Sequence, residues 1–227
     1  MENTQEKQKL SREAILEAAL ELADEGGLQA VSMRKVAARV GAEAMSLYNH
    51  IKNKEDLIDG IVDRVAARFV VPDVNGDWQE EMRKRAVSMH QVMMRHRWSP
   101  IPFVSRINTG PAQLRHVDAT IGCLVTAGFT YEMADYAWNT LDSHIFGFTL
   151  KEISFPFEPE EFAEVAQRYQ TLITEDKYPY LAGMSQAVMS GAHNGVQSVE
   201  FGLNIILEGL EAKRAAHWGH RLSTLRT

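Results

Sequence analysis

Apolar residues recur along this chain at intervals of three and four, with no sustained alternation, and that period predicts helices throughout. Ser11 caps a first helix whose Ile15, Ala18, Ala19 and Leu22 share one face until Gly26-Gly27 stops the run. Ser32 caps a second, 33–40, with Val36, Ala37 and Val40 inward; Gly41 ends it, and 44–50 makes a third. Asn53 caps a fourth, 54–70. Its first turn carries Glu55 and Asp56, where the positive end of the helix dipole favours carboxylates.

The stretch VPDVNG, 71–76, is the clearest break in the pattern. It predicts two domains, 1–70 and 71–227, the first including the connecting helix 54–70. Beyond it, helical patterns cover 77–97, 112–127, 131–153, 159–173 (with Pro159 at the favoured first position) and 196–216. Pro179, Gly183, Gly191 and Gly195 make 178–195 read as a flexible connection. The expected fold is all-α.

Composition narrows the class. A chain of 227 residues, 45% hydrophobic and 24% charged, is long and apolar enough for a substantial core. Its single cysteine cannot form an internal disulfide. The polar start MENTQEKQKL lacks the apolar stretch of a signal peptide, and no uncharged apolar run reaches membrane-spanning length. A cytoplasmic protein is expected. The net charge of −6 conceals a basic window at 32–54, where Arg34, Lys35, Arg39, Lys52 and Lys54 face Glu43 alone. That is a local footprint for an anionic partner rather than a general affinity for polyanions.

Two short helices joined at Gly41, with Val36, Val40 and Leu47 inward, have the spacing of a helix-turn-helix. Spacing alone leaves a simple packing hairpin open. The residues go further: AILEAALELADEGG, VSMRKVAARVG and SLYNHIKNKEDLID resemble the tetracycline-repressor (TetR) family of bacterial transcriptional regulators. Trp78-Gln79, His96-Arg97, Gly128-Phe129 and FGLNIILEGLE resemble the regulatory domain of its tetracycline-sensing branch.

The resemblance implies an N-terminal three-helix DNA-binding domain and a helical regulatory and dimerisation domain. It implies that Ser32, Arg34, Lys35, Glu43, Ala44, Met45, Ser46, Tyr48, Asn49, His50 and Lys54 face DNA. Arg34 suits bidentate readout of guanine, Asn49 suits adenine, and Ala44 or Met45 suits a thymine methyl. Tyr48, His50 and Lys54 suit phosphate, with Tyr48 as a core-edge aromatic and His50 as a packing residue left open. Val199, Gly202, Leu203, Ile206, Gly209 and Leu210 of the last helix are implied at a dimer interface, with an ordinary buried helix left open.

The effector cavity, by the same resemblance, is walled by Arg85, Met89, Met93, Phe103, Ile107, Thr120, Trp138, Leu141, Ile145 and Phe148, with plain core packing left open for the apolar ones and a solvent-facing or internally paired role for Arg85. Phe103 stands where tetracycline sensors hold a metal-binding histidine, and Val70, Arg85 and Thr120 replace polar drug contacts. A hard cation finds no ligand at Phe103, so tetracycline–magnesium is not the expected effector; a largely apolar compound is. No cofactor, metal site or enzymatic activity is expected, because the histidines are scattered and no hydrolase, phosphate-loop or zinc motif occurs. The expected function is a homodimeric repressor on a palindromic operator, released by a small molecule. A DNA-binding regulator without effector, and a helical ligand-binding protein that has lost DNA binding, remain as alternatives.

Overall fold

A computed structural model describes residues 10–157, 159–193 and 198–224. Its helices are α1 (Arg12–Gly26), α2 (Met33–Arg39), α3 (Ala44–Leu47), α4 (Lys54–Ala66), α5 (Trp78–Arg95), α6 (Pro100–Ser105), α7 (Pro111–Thr126), α8 (Tyr131–Ser154), α9 (Phe162–Arg168), α10 (Pro179–Met189) and α11 (Val199–Thr224). The described residues contain no strand. Local chemistry fixes the starts: Ser11 accepts from the Ala14 amide at 3.2 Å, Ser32 from Lys35 at 3.3 Å and Asn53 from Asp56 at 2.8 Å. Each cap satisfies an amide that the helix itself cannot.

The first four helices close over Ile15, Ala19, Val36, Leu47, Leu57, Ile61 and Val65, all fully buried. Arg12 locks α1 to the start of α4 through Asp56, at 2.7 Å and 3.1 Å, and also donates to the His50 carbonyl at 3.0 Å. The Arg12 guanidinium beside it holds the Asp56 carboxyl below its usual range. The apolar core continues into α5, α7, α8 and α11, where Met82, Met93, Leu124, Leu141, Ile145 and Leu203 are fully buried. Cys123 of α7 is buried there too, and its thiol is pushed up to about 11, first by desolvation and then by nearby carboxylates.

Several boundaries differ from the sequence expectation. The third helix is one turn, with turns continuing to His50, and the fourth stops at Ala66 rather than 70. The expected 159–173 helix is a 3-10 turn (Pro159–Glu161) followed by the shorter α9. The segment read as a flexible connection contains α10, which packs against α9 as a hairpin. Pro179 does not break α10, because it occupies the first turn, where its missing N–H costs nothing. The last helix runs on past 216 to Thr224, while its expected start at 196 and the segment 1–9 lie outside the described residues. No described helix is long and apolar enough to cross a membrane.

Candidate nucleic-acid interface and ligand cavities

Gly41 takes φ +66° between α2 and α3, a left-handed conformation that side chains rarely adopt, and so turns α3 across α2. Leu47 and Ile51, both buried, pin the inner side of α3 and of the turn after it. The outer side then carries Glu43, Met45, Tyr48 and Asn49 into solvent, with Met45 75% exposed. Ala44, Ser46 and His50 are half-buried at its edge, and Ser32 is half-buried as the α2 cap. Tyr48 is exposed rather than tucked under the core.

The basic window is not uniformly available. Arg39 reaches back to Glu21 at 3.1 Å and Glu25 at 2.7 Å, which neutralises it within the N-terminal bundle. Arg34, Lys35, Lys52 and Lys54 are exposed and form no ion pair among the described residues. Four unneutralised cations therefore flank one exposed helix. That arrangement can take phosphates on either side of base edges.

Three sets of contacts tie this unit to the helices behind it. Asp24 of α1 accepts from Trp98 Nε1 and meets His96 Nδ1, each at 2.7 Å; the other His96 ring nitrogen meets Arg68. Arg106, between α6 and α7, bridges Glu55 at 2.6 Å and Asp59 at 2.7 Å on α4. Asp63, one further turn along α4, accepts the amides at the start of α7. Sequence spacing did not single out Asp63 or Arg106, since each works through a partner some fifty positions away in the chain.

Behind these ties lies most of the expected effector wall. Met89, Met93, Phe103, Leu141 and Ile145 belong to the continuous apolar core, and Thr120 is fully buried, donating to the His116 carbonyl at 2.7 Å. Trp138 and Phe148 are half-buried. Arg85 is 1% exposed and pairs with Asp142 at 2.6 Å, which also accepts Trp138 Nε1 at 2.8 Å. Arg85 Nε and Nη1 have no hydrogen-bond partner among the described residues. His116 is buried, its ring 5.4 Å from that of Phe69. Desolvation and then the Arg85 charge push it down to about 3.

One expectation is corrected. Ile107 is 89% exposed on the α6–α7 connection, so it walls no interior cavity. On α11, Val199 and Leu203 are buried inside the protomer, and Ile206 and Leu210 pack half-buried on its core. Gly202 is half-buried at the edge of this packing, where an added Cβ would meet the His144 ring. Val199 and Leu203 thus pack against α5 and α8 of the same chain, while Gly202, Ile206 and Leu210 keep partial exposure. Gly209 stands on the outer side, with open space around it, near exposed Phe201 and Ile205.

A cavity of about 600 Å³ opens elsewhere, between the end of α8 and the α9–α10 hairpin; of the expected wall, Phe148 alone borders it. No group of three or more metal-ligating side chains occurs among the described residues.

Comparison with known proteins accords with this geometry. The sequence profile described as "Bacterial regulatory proteins, tetR family" matches residues 15–61, and "Tetracyclin repressor-like, C-terminal domain" matches residues 71–214. An HTH-type transcriptional regulator of Saccharopolyspora erythraea is 29% identical over 77% of this chain and 74% of its own. Tetracycline repressor protein class D of Escherichia coli is 26% identical over 92% of each chain. The crystal structure of ActR from Streptomyces coelicolor in complex with actinorhodin superposes with a TM-score of 0.78, at 25% identity, over 91% of this chain and 97% of that one.

Proposed function

Because the chain belongs to the tetracycline-repressor family of transcriptional regulators, we propose that it is a repressor that holds a palindromic operator as a homodimer and releases it when a small molecule binds. In this reading residues 1–70 form the DNA-binding domain and 71–227 the ligand-binding and dimerisation domain. The chemistry is recognition, without a catalytic step. Arg34 and Asn49 read base edges from the outer side of α2 and α3, and Lys35, Tyr48 and Lys54 hold phosphates.

The observation that carries the regulatory part is the attachment of α4. Glu55, Asp59 and Asp63 lie one turn apart along it, and all three bind the segment from Arg106 to Gln113. That segment joins α6 and α7, which border the buried Arg85–His116 region. A ligand that displaces it must pull on α4 and thereby on the spacing of the two recognition helices. ActR's complex with actinorhodin supports a small-molecule effector. Tenfold weaker operator binding needs about 1.4 kcal/mol of difference in ligand affinity between the two forms.

Two copies meet, in this proposal, through the outer side of α11 with Phe201, Ile205 and Gly209, beside exposed Thr140, Ser143 and Gly147 of α8. Selection of binding sites from random duplex DNA, followed by titration with the purified protein, tests the reading. An inverted-repeat consensus bound by two protomers is expected. A consensus without two-fold symmetry, or one protomer per site, would overturn it.

A further inference from the structure

The cavity beneath the α9–α10 hairpin has its own chemistry, separate from the Arg85–Asp142 pair. Its volume of about 600 Å³ is that of a pocket for a small organic molecule. Phe148, Phe155, Phe157, Phe162 and Tyr169 border it. Three of these form an edge-to-face cluster, with Phe155 centred 6.0 Å from Phe157 and 5.5 Å from Phe162. Phe148 is held by His90 at 5.7 Å and His144 at 5.9 Å, so that wall is braced by α5 and α8. Rigid rings on several sides favour a flat ligand over a flexible chain.

Charge narrows the class further. Arg97 and Lys151 line the cavity, and neither forms an ion pair among the described residues; Arg97 gives one donor to the Ile153 carbonyl at 3.0 Å. Glu152 is the one carboxylate in the lining, and its oxygen lies 3.4 Å from His90 Nε2. Two cations thus stand beside a set of partly exposed aromatic rings. We propose that this cavity binds a flat aromatic molecule carrying one acidic group, its rings among Phe148, Phe155 and Phe162 and its acid on Arg97 and Lys151. The site requires nothing of the DNA-binding reading, and its occupancy is measurable without DNA.

The anionic dye 8-anilino-1-naphthalenesulfonate and its uncharged relative N-phenyl-1-naphthylamine are suitable probes for the full-length protein. Saturable enhancement of both dyes, at one site per protomer, is expected. Ala166→Trp, which fills the cavity, should weaken both at least tenfold, and Met184→Trp serves if that variant loses its native circular dichroism. Arg97→Gln with Lys151→Gln should weaken the sulfonate at least fivefold and leave the neutral dye within twofold. Dye binding that is non-saturable, or unchanged in the folded cavity-filled variant, refutes the site. Equal weakening of both dyes by the charge substitutions refutes its acid specificity.

Discussion

Asp63 Oδ1 accepts the Ala112 amide at 3.0 Å, so a carboxylate on α4 caps α7. The same oxygen takes the Gln113 amide at 3.0 Å. A carboxylate within α4 therefore caps a helix of the other domain in the proposed division, and the two helices cannot move far apart without breaking that cap.

Replacing Asp63 with Ala should lower stability by about 1 kcal/mol, the usual worth of a helix cap. It should also uncouple operator affinity from effector. Asp63→Asn keeps an acceptor oxygen and should retain most of the coupling. Urea denaturation and DNA anisotropy with and without effector read the two effects. An Ala variant that is wild-type in both would show the shared cap to be idle.

At the DNA surface, Arg34→Ala should cost about 1–3 kcal/mol on the operator and relax preference at one base pair per half-site. Lys54→Ala should weaken operator and random DNA alike and reduce the salt dependence by about one charge. If Arg34→Ala lost affinity equally on both DNAs, its role would be phosphate contact instead.

The two sides of α11 should respond differently. Phe201→Glu with Ile205→Glu, on the exposed side, should raise the dimer dissociation constant at least a hundredfold and leave the protomer folded, as sedimentation equilibrium would show. Gly202→Leu drives a side chain into the His144 ring and should instead cost about 1–3 kcal/mol of protomer stability. Reversal of these two outcomes would put the interface on the inner stripe.

What was legible in the sequence follows from the range of the interactions involved. The Ser11, Ser32 and Asn53 caps and the Gly41 turn are local, and each occurs where the residues require it. The α11 stripe was visible as a period, but a period does not say whether it faces its own core or a second copy; Leu203 faces the core. Pro179 and Gly183 suggested a loop, yet Pro179 sits in a first turn and Gly183 has open space around it, so neither prevents α10. The hairpin cavity draws Arg97, Phe148 and Phe162 from three separate segments, a proximity that tertiary packing alone creates.

Acid should act first through His116. The folded protein holds it neutral down to about 3, whereas the unfolded chain protonates it below about 6.5. Unfolding therefore takes up a proton between these values, and stability should fall as pH drops through that window, at a limiting slope of about 1.4 kcal/mol per pH unit. Burial also lowers His90, with Glu152 opposing, and adds to the slope. The lowered carboxylates of Glu25, Asp56 and Glu81 contribute only further into acid, as pH falls below their unfolded values of 3.8–4.5. In His116→Leu the slope of unfolding free energy between pH 6.5 and 5, about one proton's worth in the parent, should decrease; an unchanged slope would remove His116 from the account.

Cys123, the chain's one cysteine, also offers a silent chemical background. Buried and held up to about 11, it presents almost no thiolate near neutral pH, and thiolate is the form that attacks alkylating reagents. A cysteine introduced at exposed Asn49 would take a spin label while Cys123 stayed inert. In a dimer, one such label on each recognition helix would convert the proposed motion into a length measured in solution. Successive major-groove faces lie about 34 Å apart, a separation that electron–electron dipolar coupling resolves without altering the native thiol.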